Sequence, residues 1–166
     1  MHRTANSFAI TACLCLAGCQ TALILDTTVA NGPTPAEIAA LSSDELGRFG
    51  RQDLFAGFPG KAERYFRTAV EKNGEDAAAW LGLAAAYDNL ARYDLADRAY
   101  ERVLLLEGET VGNLNNRGYS ALLRGDTRRA LELFKRAQAL EPQNVIVANN
   151  ILLLRSAERP TRTAPL

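Results

Sequence analysis

Small, aromatic and apolar residues return along this chain at a period of about 34 residues, with polar residues between them, and such a period belongs to stacked helical hairpins. Gly50, Ala84 and Gly118 form one column at that spacing, and Ala62, Ala96 and Ala130 a second. Phe66, Tyr100 and Phe134 form a third, and Ala69, Val103 and Ala137 a fourth. Four columns that agree in chemical type across three copies define an internal repeat. Ala and Leu dominate while β-branched and aromatic residues are sparse, which favours helix over strand. Each copy is therefore predicted to be two antiparallel helices. The small residues Gly50, Ala84 and Gly118 of the first helices are expected to face Ala62, Ala96 and Ala130 of the second, where two backbones come closest. The aromatic column is expected to fill the seam with the following copy, so that stacked copies hide one continuous apolar spine. Asn73-Gly74 and Gly125-Asp126 supply turn chemistry between helices. Pro59 fits the first turn of a second helix and Pro142 ends the third pair.

The middle copy carries the fullest pattern: Trp80, Leu83-Ala84, Tyr87, Ala96, Tyr100 and a breaker at Gly108. This resembles the tetratricopeptide repeat (TPR), W-x₂-L-G-x₂-Y…A-x₃-F…P, with Ala for Gly and Tyr for Phe. The third copy keeps Leu114, Gly118, Ala130, Phe134 and Pro142; the first keeps Gly50, Ala62, Phe66 and Ala69. The expected fold is all-α, a TPR α-solenoid of about three helix-turn-helix repeats over 43–76, 77–110 and 111–144. A capping helix over 145–158 begins a fourth copy and stops, as terminal units of a solenoid do. The tail 159–166 is Pro/Thr-rich and expected to be disordered.

The N-terminus has a different pattern. Residues 1–7 are short and polar with Arg3 as the cation, and Phe8 to Ala17 is an apolar run of signal-peptide length. Leu16-Ala17-Gly18-Cys19 follows and resembles a bacterial lipobox, which implies a signal peptide over 1–18 and a diacylglycerol on the Cys19 sulfur. Several acyl chains would anchor it stably, at about 0.8 kcal/mol per buried CH₂. The alternative is an uncleaved spanning helix over Phe8 to Leu25, which Gln20 and Thr21 interrupt. Gln20 stands where an Asp would signal inner-membrane retention, so by resemblance to sorted lipoproteins the expected location is the periplasmic face of the outer membrane. Residues 19–42, including Asn31-Gly32-Pro33-Thr34-Pro35, are read as a tether with a short helix from Pro35 to Leu41.

Composition narrows the function classes. Lys plus Arg equals Asp plus Glu, 19 each, so no net field draws nucleic acid. His2, Cys13, Cys15 and Cys19 are the chain's histidine and cysteines. Once a leader over 1–18 is removed, no Ser-His or Cys-His nucleophile pair and no His-containing zinc site can form. Gly57-Phe58-Pro59-Gly60-Lys61 lacks the leading glycine of a phosphate loop, and Ala62 replaces its Ser or Thr. Asp44-Glu45 and Glu75-Asp76 sit at helix starts, where they offset the helix dipole. Trp80 and Tyr87 occupy packing slots of the repeat. The expectation is a non-enzyme with no cofactor, no metal and no small-molecule substrate.

First helices of successive copies line the inner curve of such a solenoid, so their free side chains are the candidates for holding a partner. Asn115-Asn116 and Asn149-Asn150 recur one period apart. One amide of each pair should face the groove and bond a peptide backbone without reading its sequence; alternatively these amides bond neighbouring helices. Arg48, Arg51, Asn89 and Arg117 are further candidates to border it.

Asn115-Asn116-Arg117-Gly118-Tyr119-Ser120, Leu123-Arg124-Gly125-Asp126 and Ala148-Asn149-Asn150 also resemble the TadD-type TPR lipoproteins of tight-adherence (Flp) pilus assembly. The resemblance is sharpest from about Gly112 to Leu154. It implies an adaptor for an envelope machine, with the pilus secretin or its neighbours as protein partners. The alternative is a general envelope TPR lipoprotein that organises peptidoglycan enzymes or outer-membrane protein assembly.

Overall fold

A computed structural model of the protein describes residues 32–157. Cys19, the signal segment 1–18 and the tail 159–166 lie outside the described residues. Among the described residues there are helices and no strand, in the order α1 (Pro35–Ala40), α2 (Ser43–Phe55), α3 (Pro59–Lys72), α4 (Ala77–Asn89), α5 (Tyr93–Glu107), α6 (Val111–Leu123), α7 (Thr127–Leu140) and α8 (Val145–Ala157).

Local chemistry sets most helix boundaries. Thr34 with Glu37, and Ser42 with Glu45, form capping boxes at the starts of α1 and α2. Asp76, Thr110 and Asp126 accept from the backbone amides of Ala79, Asn113 and Arg129 at the starts of α4, α6 and α7. Asn144 serves α8 in the same way, accepting from the amides of Ile146 and Val147. The acidic residues expected at helix starts thus include Glu45 and Asp76 as direct caps. Pro59 opens α3, and Gly108, at φ +70°, ends α5 in a conformation that side-chain-bearing residues resist.

The hairpins α2/α3, α4/α5 and α6/α7 are the three expected copies, and α8 packs on α7 and α6 as the added first helix. The segment 33–42, expected to lie in the tether, instead packs on α3. Ile38 is buried there, the Arg64 guanidinium donates to the Pro33 carbonyl at 2.6 Å, and Lys72 donates to the Leu41 carbonyl at 2.5 Å. Ile38, the large apolar side chain of this short helix, gives the segment something to bury, which a free tether lacks. The helix expected at Pro35 to Leu41 runs over Pro35–Ala40.

The close approaches differ in partner from the expectation. Gly50 and Gly118 face the rings of Phe66 and Phe134, where the sequence pairs them with Ala62 and Ala130. Gly82, outside the small-residue column, also packs against Phe66. The Phe66 ring therefore meets glycines of two successive copies, the seam role expected of the aromatic column. Helix α4, sequence AAAWLGLAAAYDN, is apolar on all sides because α2, α3, α5 and α6 all pack on it.

The apolar spine is not continuous. One cluster joins α1 to α4 through Ile38, Leu46, Phe66 and Leu83, and another joins α6 to α8 through Leu114, Phe134, Val147 and Leu154. A small cluster of Ala84, Ala96, Ala99 and Tyr100 lies between, bridged to the first by Trp80 and Tyr87. The interruption falls where polar residues replace apolar ones at the junction of the second and third copies.

Candidate binding groove

First helices α2, α4 and α6 line a cavity of about 360 Å³. Its apolar wall is Leu54, Ala78, Leu81, Gly82, Ala85, Tyr119 and Leu123, and its polar edge is Arg51, Asn89 and Asn116. Two groove-facing columns explain its shape. Arg48, Gly82 and Asn116 stand one period apart, as do Arg51, Ala85 and Tyr119. In both columns the middle copy has the smallest residue, so α4 forms a hollow between longer side chains on α2 and α6. A second concavity of about 580 Å³ adjoins it at Arg51 and Ala78 and is bordered by Asp44, Arg48 and Asp76.

Of the expected groove residues, Arg51, Asn89 and Asn116 line the cavity, and Arg48 borders the adjoining concavity. Asn89 also donates to the Ala85 carbonyl one turn back, at 2.8 Å. Asn115 and Asn150 are engaged with each other, the Asn150 amide donating to Asn115 Oδ1 at 2.8 Å. Asn149 is exposed on α8. Arg117 lies off the groove, in a separate cavity of about 270 Å³ with Asp97, Arg124 and Arg129. One residue along a helix is a turn of about 100°, enough to swing Arg117 from the face of Asn116 toward α7. Trp80 is half-buried, and its indole N–H donates to the Gly74 carbonyl at 2.9 Å, a packing and loop-holding role.

Beneath the groove lies a polar network that the repeat pattern does not announce. Asp88 is 5% exposed and accepts from the Tyr100 hydroxyl at 2.8 Å and the Ser120 hydroxyl at 2.7 Å. Arg124 pairs bidentately with Asp97 at 2.8 and 2.9 Å, donates to Ser120 Oγ at 2.7 Å and stacks over the Tyr93 ring at 4.8 Å. Its guanidinium comes within 4.0 Å of Asp88. Burial raises the Asp88 carboxyl above its ordinary value, and the two hydroxyl donors oppose that shift. Burial, and then the Asp88 charge, push Tyr100 far up, so the phenol stays protonated and donating. The hydrogen bond to Asp97, ahead of its charge, raises Arg124 further.

Two of these residues leave a trace in the columns. Asp88 stands in a column with Leu54 and Leu122, and Tyr100 in one with Phe66 and Phe134. A carboxylate and a hydroxyl in otherwise apolar columns mark a polar seam. Nearby, Asn113 is buried and donates to the Gly108 carbonyl at 2.5 Å, tying down the loop that ends α5. Among the described residues no group of three or more His, Cys, Asp or Glu converges as a metal site, and no helix is long and apolar enough to cross a membrane.

Stacked helical hairpins of this period, with an inner groove built from first helices, define a TPR α-solenoid. Known proteins agree with that class. The family model described as Tetratricopeptide repeat matches residues 77–110, the middle copy. The Arabidopsis OM64 TPR domain is similar in structure at TM-score 0.61 and 23% identity, covering 69% of this chain and 95% of that one. The first TPR domain of human RPAP3 is similar at TM-score 0.62 and 17% identity, covering 69% and 91%. The second TPR domain of human RPAP3, solved in complex with the HSP70 peptide SGPTIEEVD, is similar at TM-score 0.58 and 20% identity, covering 74% and 98%. At these identities the likeness establishes the fold. No curated protein matches the chain in sequence.

Proposed function

We propose that this protein is a lipid-anchored TPR adaptor on the periplasmic face of the outer membrane, holding an extended segment of a partner protein in the α2/α4/α6 groove. The observation that carries the reading is that groove, with apolar walls and a polar edge of Arg51, Asn89 and Asn116. Apolar walls supply affinity, and amides that donate and accept can bond a peptide backbone. Proteins of the same fold support a peptide ligand: the first TPR of Spaghetti (RPAP3) is described as bound to the HSP90 peptide SRMEEVD.

The lipobox-like Leu16-Ala17-Gly18-Cys19 supports the anchor, and the resemblance of Gly112 to Leu154 to TadD-type lipoproteins supports a role in Flp pilus assembly with the secretin as partner. Cys19→Ser is expected to move the protein from the membrane fraction to the soluble periplasm. Unchanged membrane fractionation of that variant would remove the lipid anchor from the reading. Deletion is expected to abolish Flp pili, and affinity capture of the tagged chain to recover the secretin or its neighbours. Recovery of peptidoglycan enzymes with pili intact would move the adaptor to another envelope machine.

A further inference from the structure

Helix α8 is apolar on two opposite sides. Val147, Ile151 and Leu154 are buried against α6 and α7. On the far side Val145, Ile146, Leu152 and Leu153 are 69%, 65%, 59% and 48% exposed. At about 100° per residue all four lie within about 60° of Asn149, which is itself exposed. A helix that is apolar all round is normally covered all round, as α4 is by its neighbours α2, α3, α5 and α6. We infer that the outer face of α8 is covered by the same face of a second copy of this chain, in an antiparallel two-fold pair centred on Asn149.

The stripe reads the same from either end. Ile146 and Val145 stand three and four residues before Asn149, Leu152 and Leu153 three and four after it. A two-fold interface requires such self-complementarity, because the same patch serves both sides. With the axis at Asn149, Val145 and Ile146 of one copy fall opposite Leu152 and Leu153 of the other. The two Asn149 amides meet on the axis, where each can donate to and accept from the other, and a polar pair there fixes the register. Charge agrees with this arrangement. Arg155 is the charged residue of α8 and lies about 120° round from Asn149, off the stripe. An antiparallel pair sets the two Arg155 side chains at opposite ends, so no like charges face each other.

The area suits a weak dimer. Eight large apolar side chains would leave water, about 800 Å² in all at roughly 100 Å² each, and the polar rim brings the total near the floor of about 1,000 Å² for a specific interface. The chain's own residues fit the face less well. Gly50, Ala84 and Gly118 stand in the same column as Leu152, and there the first helix admits the second helix of its own hairpin. A Cβ on Gly118 would lie 2.6 Å from the Phe134 ring. Leu152 fills that place, so the close approach is blocked, and a helix on this face stands off at the ordinary spacing of about 8–10 Å. Glu158 to Leu166, which follow α8, carry one large apolar side chain, Leu166, against the four to be covered.

Disulfide trapping on the full chain tests this, with Cys13→Ser, Cys15→Ser and Cys19→Ser in every sample so that one added thiol reacts alone. Asn149→Cys puts that thiol on the axis, within bonding reach of its counterpart in the second copy. Ser156→Cys puts it on the same exposed face about two turns along, where its counterpart lies about 20 Å away. Mild oxidation at micromolar concentration should join most Asn149→Cys chains into dimers, and about a tenth as many Ser156→Cys chains or fewer. Adding Leu152→Glu to Asn149→Cys should cut the dimer about tenfold or more, the scale of losing a central apolar contact. Equal trapping at the two thiol positions would mean random encounter or a parallel pair and would overturn the inference. Absence of a dimer with Asn149→Cys would overturn it too, leaving the face to residues 158–166 or to another protein. Helical circular dichroism checks each variant, and the two exposed thiol positions decide the matter even if Leu152→Glu unfolds.

Discussion

Gly82→Ala is expected to destabilise the solenoid by about 1–3 kcal/mol through overpacking, although alanine is the better helix former. The added Cβ would lie 2.3 Å from Phe66 Cε1 and 2.4 Å from Cζ. Phe66 is 1% exposed, and Gly50 lies so close that a Cβ there would stand 2.7 Å from Cζ. That cost outweighs a helix-propensity gain of about 0.5–1 kcal/mol. Phe66→Ala alone should cost about 3–5 kcal/mol through lost burial and a cavity shared by two copies. In the double variant the new methyl enters space the ring has vacated, so it should be no less stable than Phe66→Ala. Urea unfolding followed by helical circular dichroism gives the cycle. Additive losses would show that Gly82 and Phe66 do not meet as described.

Asp88→Ala is expected to cost about 1–3 kcal/mol, because it strips the acceptor from the buried hydroxyls of Tyr100 and Ser120. Asp88→Asn keeps an acceptor and should cost much less, and the two variants differ further in how pH acts on them. Burial holds the Asp88 carboxyl above its ordinary value of 3.8, so the folded state binds that proton more tightly than the unfolded chain. Its contribution to stability is fully present below 3.8 and is lost as pH rises through the raised native value. The stability of the natural protein relative to Asp88→Asn should therefore fall as pH climbs from 3.8 toward neutrality. Glu37 and Glu45 act in the opposite sense. Backbone amides of Thr34 and Ser42 lower them from 4.5, so their contribution is present above that value and is lost as pH falls through the depressed one. They are common to both proteins and cancel in the difference. Urea unfolding of the pair across that range decides the matter, and a gap that is flat or widens in favour of the natural protein would refute the assignment.

The seam that Asp88 occupies bears on the groove, since Asp88 and Tyr100 also line the floor of the cavity. The Tyr100 hydroxyl, whose proton goes to Asp88, also lies 3.4 Å from the Asn116 carbonyl, on the helix whose amide borders the groove. Hydrogen bonds thus cross the junction of the second and third copies. Directional bonds fix a register that a smooth apolar face leaves free to slide.

Much of this protein is legible without coordinates. The periodic columns define the hairpins, several boundaries follow from Pro59, Asp76, Gly108 and the Gly125-Asp126 turn, and Phe66 and Phe134 are marked as seam residues by spacing alone. These features depend on contacts within one hairpin or between similar neighbours, and a period in the sequence records them directly. The division of labour among the amides is not recorded in that way. Whether Asn115 or Asn116 meets the groove depends on the rotation of α6 against α8, where Asn150 claims Asn115. Arg117 belongs by sequence to the same cluster and by structure to another cavity. The Asp88 network joins residues 12 and 32 positions apart on three different helices, and it forms because the copies stack at one particular angle. Periodicity tells which face of each helix is apolar; the angle at which neighbouring copies meet, and so which polar groups come within hydrogen-bond reach, is set by three-dimensional packing of side chains that differ from copy to copy.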